Sequence, residues 1–150
     1  MGERVRDRIS PVQMPVFEID AAKRYTSGKG SQMIRHMLKS KIHRATVTGV
    51  DLNYEGSLAV DAAILRAVDI LPYERVHVYN ITNGERLETY AIENAPGSGT
   101  IELRGAAAHK GKPGDLVIIA CFTTMDDRNL KDFQPSVVYL DKMNRIKEEK

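Results

Sequence analysis

The chain has 150 residues, 42% hydrophobic and 28% charged, which is the make-up of one globular domain rather than of a disordered or fibrous chain. Its net charge of +2 arises in residues 1–32, which hold six Lys/Arg and four Asp/Glu; the remainder holds sixteen of each and lacks the basic excess that a nucleic-acid partner requires. The longest apolar run, residues 116–122, is strand-sized, so no membrane partner is expected, and the charged start has no apolar signal core.

A single cysteine, Cys121, excludes an internal disulfide framework and fits a reducing compartment, so the expected location is cytoplasmic. Residues 1–32 read as an N-terminal extension. They carry Pro11, Pro15 and the run Thr-Ser-Gly-Lys-Gly-Ser at 26–31, and their small apolar cluster is too short for a core. A short strand over 16–19 is the most regular structure they support, and Met33 reads as an alternative first residue. Residues 33–150 form the expected domain.

From Met33 onward the texture is that of short strands. Residues 41–48 are rich in β-branched side chains, and alternation places Lys41, His43, Ala45 and Val47 on one face and Ile42, Arg44, Thr46 and Thr48 on the other. One helix is expected: Asp61 is a good N-cap, Ile64, Leu65 and Val68 form a helical stripe, and Pro72 prevents its continuation. A strand at 76–79, the pair Asn83-Gly84 and a return strand at 86–92 predict a hairpin with a tight two-residue turn. Further strands are predicted at 100–103, at 115–123 (buried on both faces) and at 137–140, with a charged, frayed tail after Asp141. Many short strands with one or two short helices imply a mainly β chain closed, or partly closed, into a small barrel.

Chemistry concentrates at Gly56-Ser57. The dipeptide is not unusual, since Gly-Ser recurs at 30–31 and 97–98, and no nucleophile elbow surrounds it because Ala59 stands where that motif needs glycine. An isolated pair of this kind is most simply a turn. A strained Gly-Ser bond permits something else: the serine hydroxyl attacks the preceding carbonyl and converts the amide to an ester. β-Elimination and hydrolysis then leave a pyruvoyl group, which forms Schiff bases with amines and withdraws electrons.

The segments Met-Leu-Lys-Ser-Lys-Ile-His-Arg (37–44), Asp-Leu-Asn-Tyr-Glu-Gly-Ser (51–57), Tyr-Asn-Ile-Thr-Asn-Gly-Glu-Arg (79–86), Thr-Tyr-Ala-Ile (89–92), Gly-Ala-Ala-Ala-His (105–109) and Gly-Asp-Leu-Val-Ile-Ile (114–119) stand in one order across the chain. In this they resemble the pyruvoyl-dependent aspartate 1-decarboxylase family. The resemblance implies a double-psi β-barrel, a homotetramer, and self-cleavage between Gly56 and Ser57 into a β chain (1–56) and an α chain (57–150). It implies a carboxy-lyase that converts L-aspartate to β-alanine and CO2 for pantothenate and coenzyme A synthesis, with a pyruvoyl cofactor made from Ser57 and no metal. A maturation factor that assists cleavage would be a further partner.

The same resemblance assigns the site residues. Ser57 carries the pyruvoyl group and Tyr90 is the proton donor. Lys41 and Arg86 would hold carboxylates, as a compact charge and a bidentate fork respectively. His43, Tyr54 and Thr89 would line the pocket, and Gly105, Ala106 and Ala107 would offer backbone N–H groups free of obstructing side chains. Alternation puts Thr89 opposite Arg86 and Tyr90, so a pocket lined by all three would need a bulge or strand end. The four histidines, His36, His43, His77 and His109, show no metal-ligand spacing. One departure stands out: Arg104 precedes Gly-Ala-Ala where the family usually has asparagine, exchanging a neutral donor and acceptor for a charged donor. The alternative to the enzyme is a processing-deficient barrel with a binding or assembly role.

Overall fold

The computed structural model describes residues 33–149, and the extension and the strand expected over 16–19 lie outside the described residues. The strands are β1 (Ile34–Thr46), β2 (Gly49–Asp51), β3 (Ser57–Asp61), β4 (Arg75–Asn80), β5 (Arg86–Asn94), β6 (Ile101–Arg104), β7 (Leu116–Asp126), β8 (Ser136–Leu140) and β9 (Ile146–Glu149). Helix α1 (Ala62–Ala67) and two 3-10 helices (Gly105–Lys110 and Asp127–Asn129) complete the described elements.

The strands run in the order β2-β6-β3-β5-β4-β7-β1-β8-β9. Laid flat, nine strands at about 4.8 Å spacing would span roughly 38 Å, too wide for the first and last to share a core. Yet Ile42, Leu58, Val76, Ile101, Val117 and Val138, from six different strands, belong to one buried cluster. The sheet therefore curls around that cluster. Its closure is visible where Asn144 Nδ2, in the turn between β8 and β9 at one edge, donates to Gly99 O, just before β6 near the other edge, at 2.8 Å. Three parallel pairs (β1 with β8, β2 with β6, β3 with β5) are interspersed among antiparallel ones, giving the mainly β barrel expected from the sequence.

Strand β1 departs from simple alternation. Ile42 and Ala45 are both fully buried although three residues apart, because the register with β7 shifts between them and Arg44 sits at φ 62. The bulge rotates the strand by one residue, so the expected faces hold through His43 and invert after it. Helix α1 forms as anticipated: Asp61 accepts from Ala63 N at 2.8 Å, and Ile64, Leu65 and Val68 are buried. The β4–β5 connection is longer than the tight turn expected. Gly84 takes φ 79 while Asn83 does not enter the left-handed region, and Asn80 Oδ1 accepts from Thr82 N and Asn83 N to shape a broader loop.

Strand β7 is also less enclosed than its composition suggested. Val117, Ile119 and Cys121 are buried, but Leu116 and Ile118 are half-buried and Phe122 is exposed. The tail is not frayed within the described residues, because β9 pairs antiparallel with β8. Asn144 anchors the turn before β9: its side chain accepts from Thr46 N and donates to Thr46 O and Gly99 O, all at 2.8 Å.

Candidate active site

Residues 52–56 form a loop between β2 and β3, and both stems of that loop pair with β6. At its far end Gly56 takes φ 115 and Ser57 takes φ 99, so two consecutive residues occupy positive φ. Glycine tolerates this; serine is strained there, and such strain persists only where the surroundings enforce it. Ser57 is buried at 3% exposure, and its Oγ has no hydrogen-bond partner. A buried hydroxyl left unpaired costs about 1–3 kcal/mol, so the fold holds this one strained and uncommitted.

The enforcing contact comes from the first 3-10 helix. Gly105 has φ 60, and a Cβ there would stand 2.6 Å from Gly56 Cα, 2.9 Å from Tyr54 O and 3.0 Å from Gly56 N. Only glycine lets the two backbones approach this closely. Behind it Ala106 is exposed and Ala107 is buried, so the Gly-Ala-Ala segment adds only small side chains beside the Gly56-Ser57 turn.

Tyr90 arrives from β5, whose Ala91 pairs with Leu58 of β3. A Cβ on Gly56 would lie 3.9 Å from Tyr90 Oη, which places the phenol beside the Gly56-Ser57 bond. Tyr73, itself at φ 68, tilts its ring over Tyr90 at 6.5 Å between centroids. The β4–β5 ladder runs without a register shift from Arg75–Tyr90 to Tyr79–Arg86. The bulge that would bring Thr89 round is therefore absent. Thr89 is half-buried on the face opposite Arg86 and Tyr90.

The remaining expected residues stand apart. Arg86 begins β5, four residues before Tyr90 and roughly 13 Å along the strand, and its guanidinium lies 4.4 Å over the Tyr79 ring. Lys41 and His43 lie on β1, four places from β3 in the sheet order. The His43 ring meets Tyr139 edge-on at 5.2 Å with its Nδ1 buried and unpartnered. Burial first, and then the charges of Lys41 and Arg44, lower its pKa and favour the neutral ring. One chain thus gathers Tyr54, Gly56, Ser57, Tyr90 and Gly105 at one place, while the ring contacts of His43 and Arg86 are with Tyr139 and Tyr79. Among the described residues no group of three or more His, Cys, Asp or Glu side chains is placed to hold a metal ion.

Reading the sequence did not single out Glu102, whose carboxylate accepts from Arg104 Nη2 at 2.6 Å, or Tyr79 beneath Arg86. The first was legible as a pair two residues apart on one strand, hence on one face. The second depends on cross-strand register, which the unexpected loop length concealed.

The family model described as aspartate decarboxylase matches residues 33–147. The chain is similar to the aspartate 1-decarboxylase of Desulfotalea psychrophila, with 53% identity over 77% of this chain and 98% of that protein. It is similar to that of Myxococcus xanthus, with 55% identity over 76% and 88%, and to that of Syntrophus aciditrophicus, with 54% identity over 77% and 99%.

Proposed function

Because this chain belongs to the aspartate decarboxylase family, we propose that it removes the α-carboxylate of L-aspartate to give β-alanine, as a pyruvoyl-dependent enzyme that makes its own cofactor from Ser57 and serves pantothenate synthesis. The observation that carries the proposal is the Gly56-Ser57 bond, with consecutive positive φ angles and a buried, unpartnered Ser57 Oγ. Ser57 Oγ attacks the Gly56 carbonyl carbon, the Ser57 nitrogen is released as a free amine, and an ester joins the two residues. Loss of the α-proton of Ser57 then expels the Gly56 carboxylate, and water replaces the nitrogen as ammonia. The outcome is a β chain of residues 1–56 and an α chain beginning at position 57.

The residues fit that group, since the freed terminus lies between Tyr90 and the Gly105 turn, with no side chain on Gly56 or Gly105 to fill the space. A pyruvoyl carbonyl there would take up the substrate amine and draw electrons from the bond to the departing carboxylate. Tyr90 Oη supplies the proton to the carbon that carboxylate leaves, from beside position 57. Lys41 and Arg86 supply the fixed cations that a dianionic substrate needs, with His43 beside Lys41. Backbone N–H groups of Gly105, Ala106 and Ala107 meet a carboxylate oxygen and Tyr54 lines the pocket, whereas Thr89, on the face of β5 opposite Tyr90, is not proposed for the pocket of its own chain.

Because the contacts described for His43 and Arg86 are with Tyr139 and Tyr79 rather than with the Ser57 turn, the complete site is proposed to belong to an assembly of copies, a homotetramer. The exposed Leu71, Tyr73, Tyr90 and Phe122 supply apolar surface for it. A cytoplasmic location is proposed from the single buried Cys121, whose thiol is pushed up to about 11 by burial and by the neighbouring Glu74 carboxylate. No described helix is long and apolar enough to cross a membrane.

Incubating the purified chain and weighing the products tests the proposal. It requires fragments 1–56 and 57–150, the second with a blocked start, and β-alanine released from L-aspartate. A 16.8 kDa chain that stays intact alone and in cell extract would instead favour a non-enzymatic barrel with a binding or assembly role. Cleavage only in extract would assign a maturation factor.

A further inference from the structure

Arg104 is registered to the residues that flank the 52–56 loop on both sides. It pairs in parallel with Asp51, where the loop begins, and antiparallel with Ser57, where it ends. Its side chain then reaches back over the loop, the guanidinium lying 4.4 Å from the centroid of the Tyr54 ring. The edge of the same guanidinium is held by Glu102, through Nε at 2.9 Å and Nη2 at 2.6 Å to one carboxylate oxygen. Immediately after it, Gly105 presses on Tyr54 O and on the Gly56 backbone.

We propose that Arg104 is a positioning residue for self-cleavage: a clamp that fixes Tyr54, and through it the strained Gly56-Ser57 turn, rather than a ligand for the substrate. The geometry separates these two roles. A guanidinium free to grip a substrate carboxylate would present an open edge. Here the face is covered by Tyr54, Nε and Nη2 are spent on Glu102, and the side chain is only 16% exposed. Only Glu55 and Gly56 separate Tyr54 from Ser57, so fixing the ring limits how far the turn can relax. The strain at Ser57 persists only if the loop cannot relax, and the Arg104–Tyr54 stack restrains its outer side while Gly105 restrains its inner side.

The inference rests on the proposed self-cleavage, and two measurements keep the two separable. The first is the cleavage rate of the full chain followed by the mass of fragment 57–150. Arg104→Ala and Tyr54→Leu are each expected to slow it about tenfold, and the double variant no further than either single one. Once processed, Arg104→Ala is expected to keep KM for aspartate within about twofold. The second measurement is amide hydrogen exchange in the uncleavable Ser57→Ala chain. Adding Arg104→Ala there is expected to speed exchange across residues 53–56 while leaving β7 protected, which also shows that the variant folds. Wild-type cleavage rates in both single variants would overturn the clamp, as would unchanged exchange. A tenfold rise in KM with unaltered cleavage would overturn it in favour of substrate binding. A wild-type chain that never cleaves, yet shows Arg104-dependent protection of the loop, would sink the proposed function and leave the clamp standing.

Discussion

Replacing Gly105 with alanine would set a Cβ 2.6 Å from Gly56 Cα and 2.9 Å from Tyr54 O, against backbone that has no flexible end to yield. Gly84 has a comparable positive φ of 79, against 60 at Gly105, but its Cβ would meet nothing within 4 Å. The two substitutions share backbone strain and differ only in the collision. Gly84→Ala is expected to cost about 1 kcal/mol and to leave cleavage at Gly56-Ser57 unchanged. Gly105→Ala adds an overpacking cost of about 1–3 kcal/mol and pushes the Gly56-Ser57 turn outward, so the proposed cleavage should fall far below the wild-type rate. Denaturant midpoints and the appearance of fragment 57–150 read the two effects separately. Equal cleavage in both variants would remove Gly105 from the enforcement of strain at Ser57.

At the scale of elements, Asp61 joins the end of β3, the start of α1 and the loop before β6. Its Oδ1 accepts from Ala63 N and Gly97 N, and its Oδ2 from Gly99 N at 2.8 Å. Burial alone would raise the pKa of this carboxyl, but the backbone donors of Gly99, Gly97, Ala63 and Ile64 outweigh it and hold the pKa below the usual aspartate value. A depressed folded value means that the stabilisation is complete above the unfolded pKa and is lost as pH falls through the folded one. Asp61→Asn can still cap α1 but turns a second donor toward Gly99 N, at a cost of about 1–3 kcal/mol near neutrality. The wild-type advantage over this variant should therefore shrink between about pH 5 and pH 3 in urea titrations. An advantage that stayed constant over that interval would show that the charge on Asp61 does not stabilise the junction.

This junction also marks what was readable beforehand. Asp61 as cap, the stripe of α1 and the barrel class follow from local pattern. The fate of the tail did not, because Arg-Ile-Lys-Glu-Glu at 145–149 has no local reason to stay ordered. What orders it is Asn144, bonded to Thr46 and Gly99 far away in sequence. The faces of β1 were misread past His43 for a similar reason: a bulge at Arg44 leaves no mark in composition. At the site, Gly56-Ser57 was one of three equal dipeptides until its neighbours were in place, and resemblance supplied those neighbours where spacing could not. Resemblance did not supply distance, and the separation of Arg86 from Tyr90 along an unbroken strand emerged only from the register.

For the whole molecule, that separation has a direct consequence. An extended strand puts Arg86 roughly 13 Å from Tyr90, and its guanidinium is seated on Tyr79. Aspartate is too short to bridge such a gap, so a site using both Ser57 and Arg86 should draw them from different copies. On the proposed function Ser57→Ala would remove the cofactor and Arg86→Ala a carboxylate anchor, and each alone should be nearly inactive. Co-expressed in equal amounts and assembled at random, a site needs Ser57 from one kind of subunit and Arg86 from the other. Each requirement is met half the time, so about a quarter of wild-type activity should return. Mixing the two after separate assembly should restore nothing unless subunits exchange, which controls for activity carried by either variant. If both residues served a site within one chain, every site in the mixed oligomer would lack one of them, and co-expression would recover no activity at all.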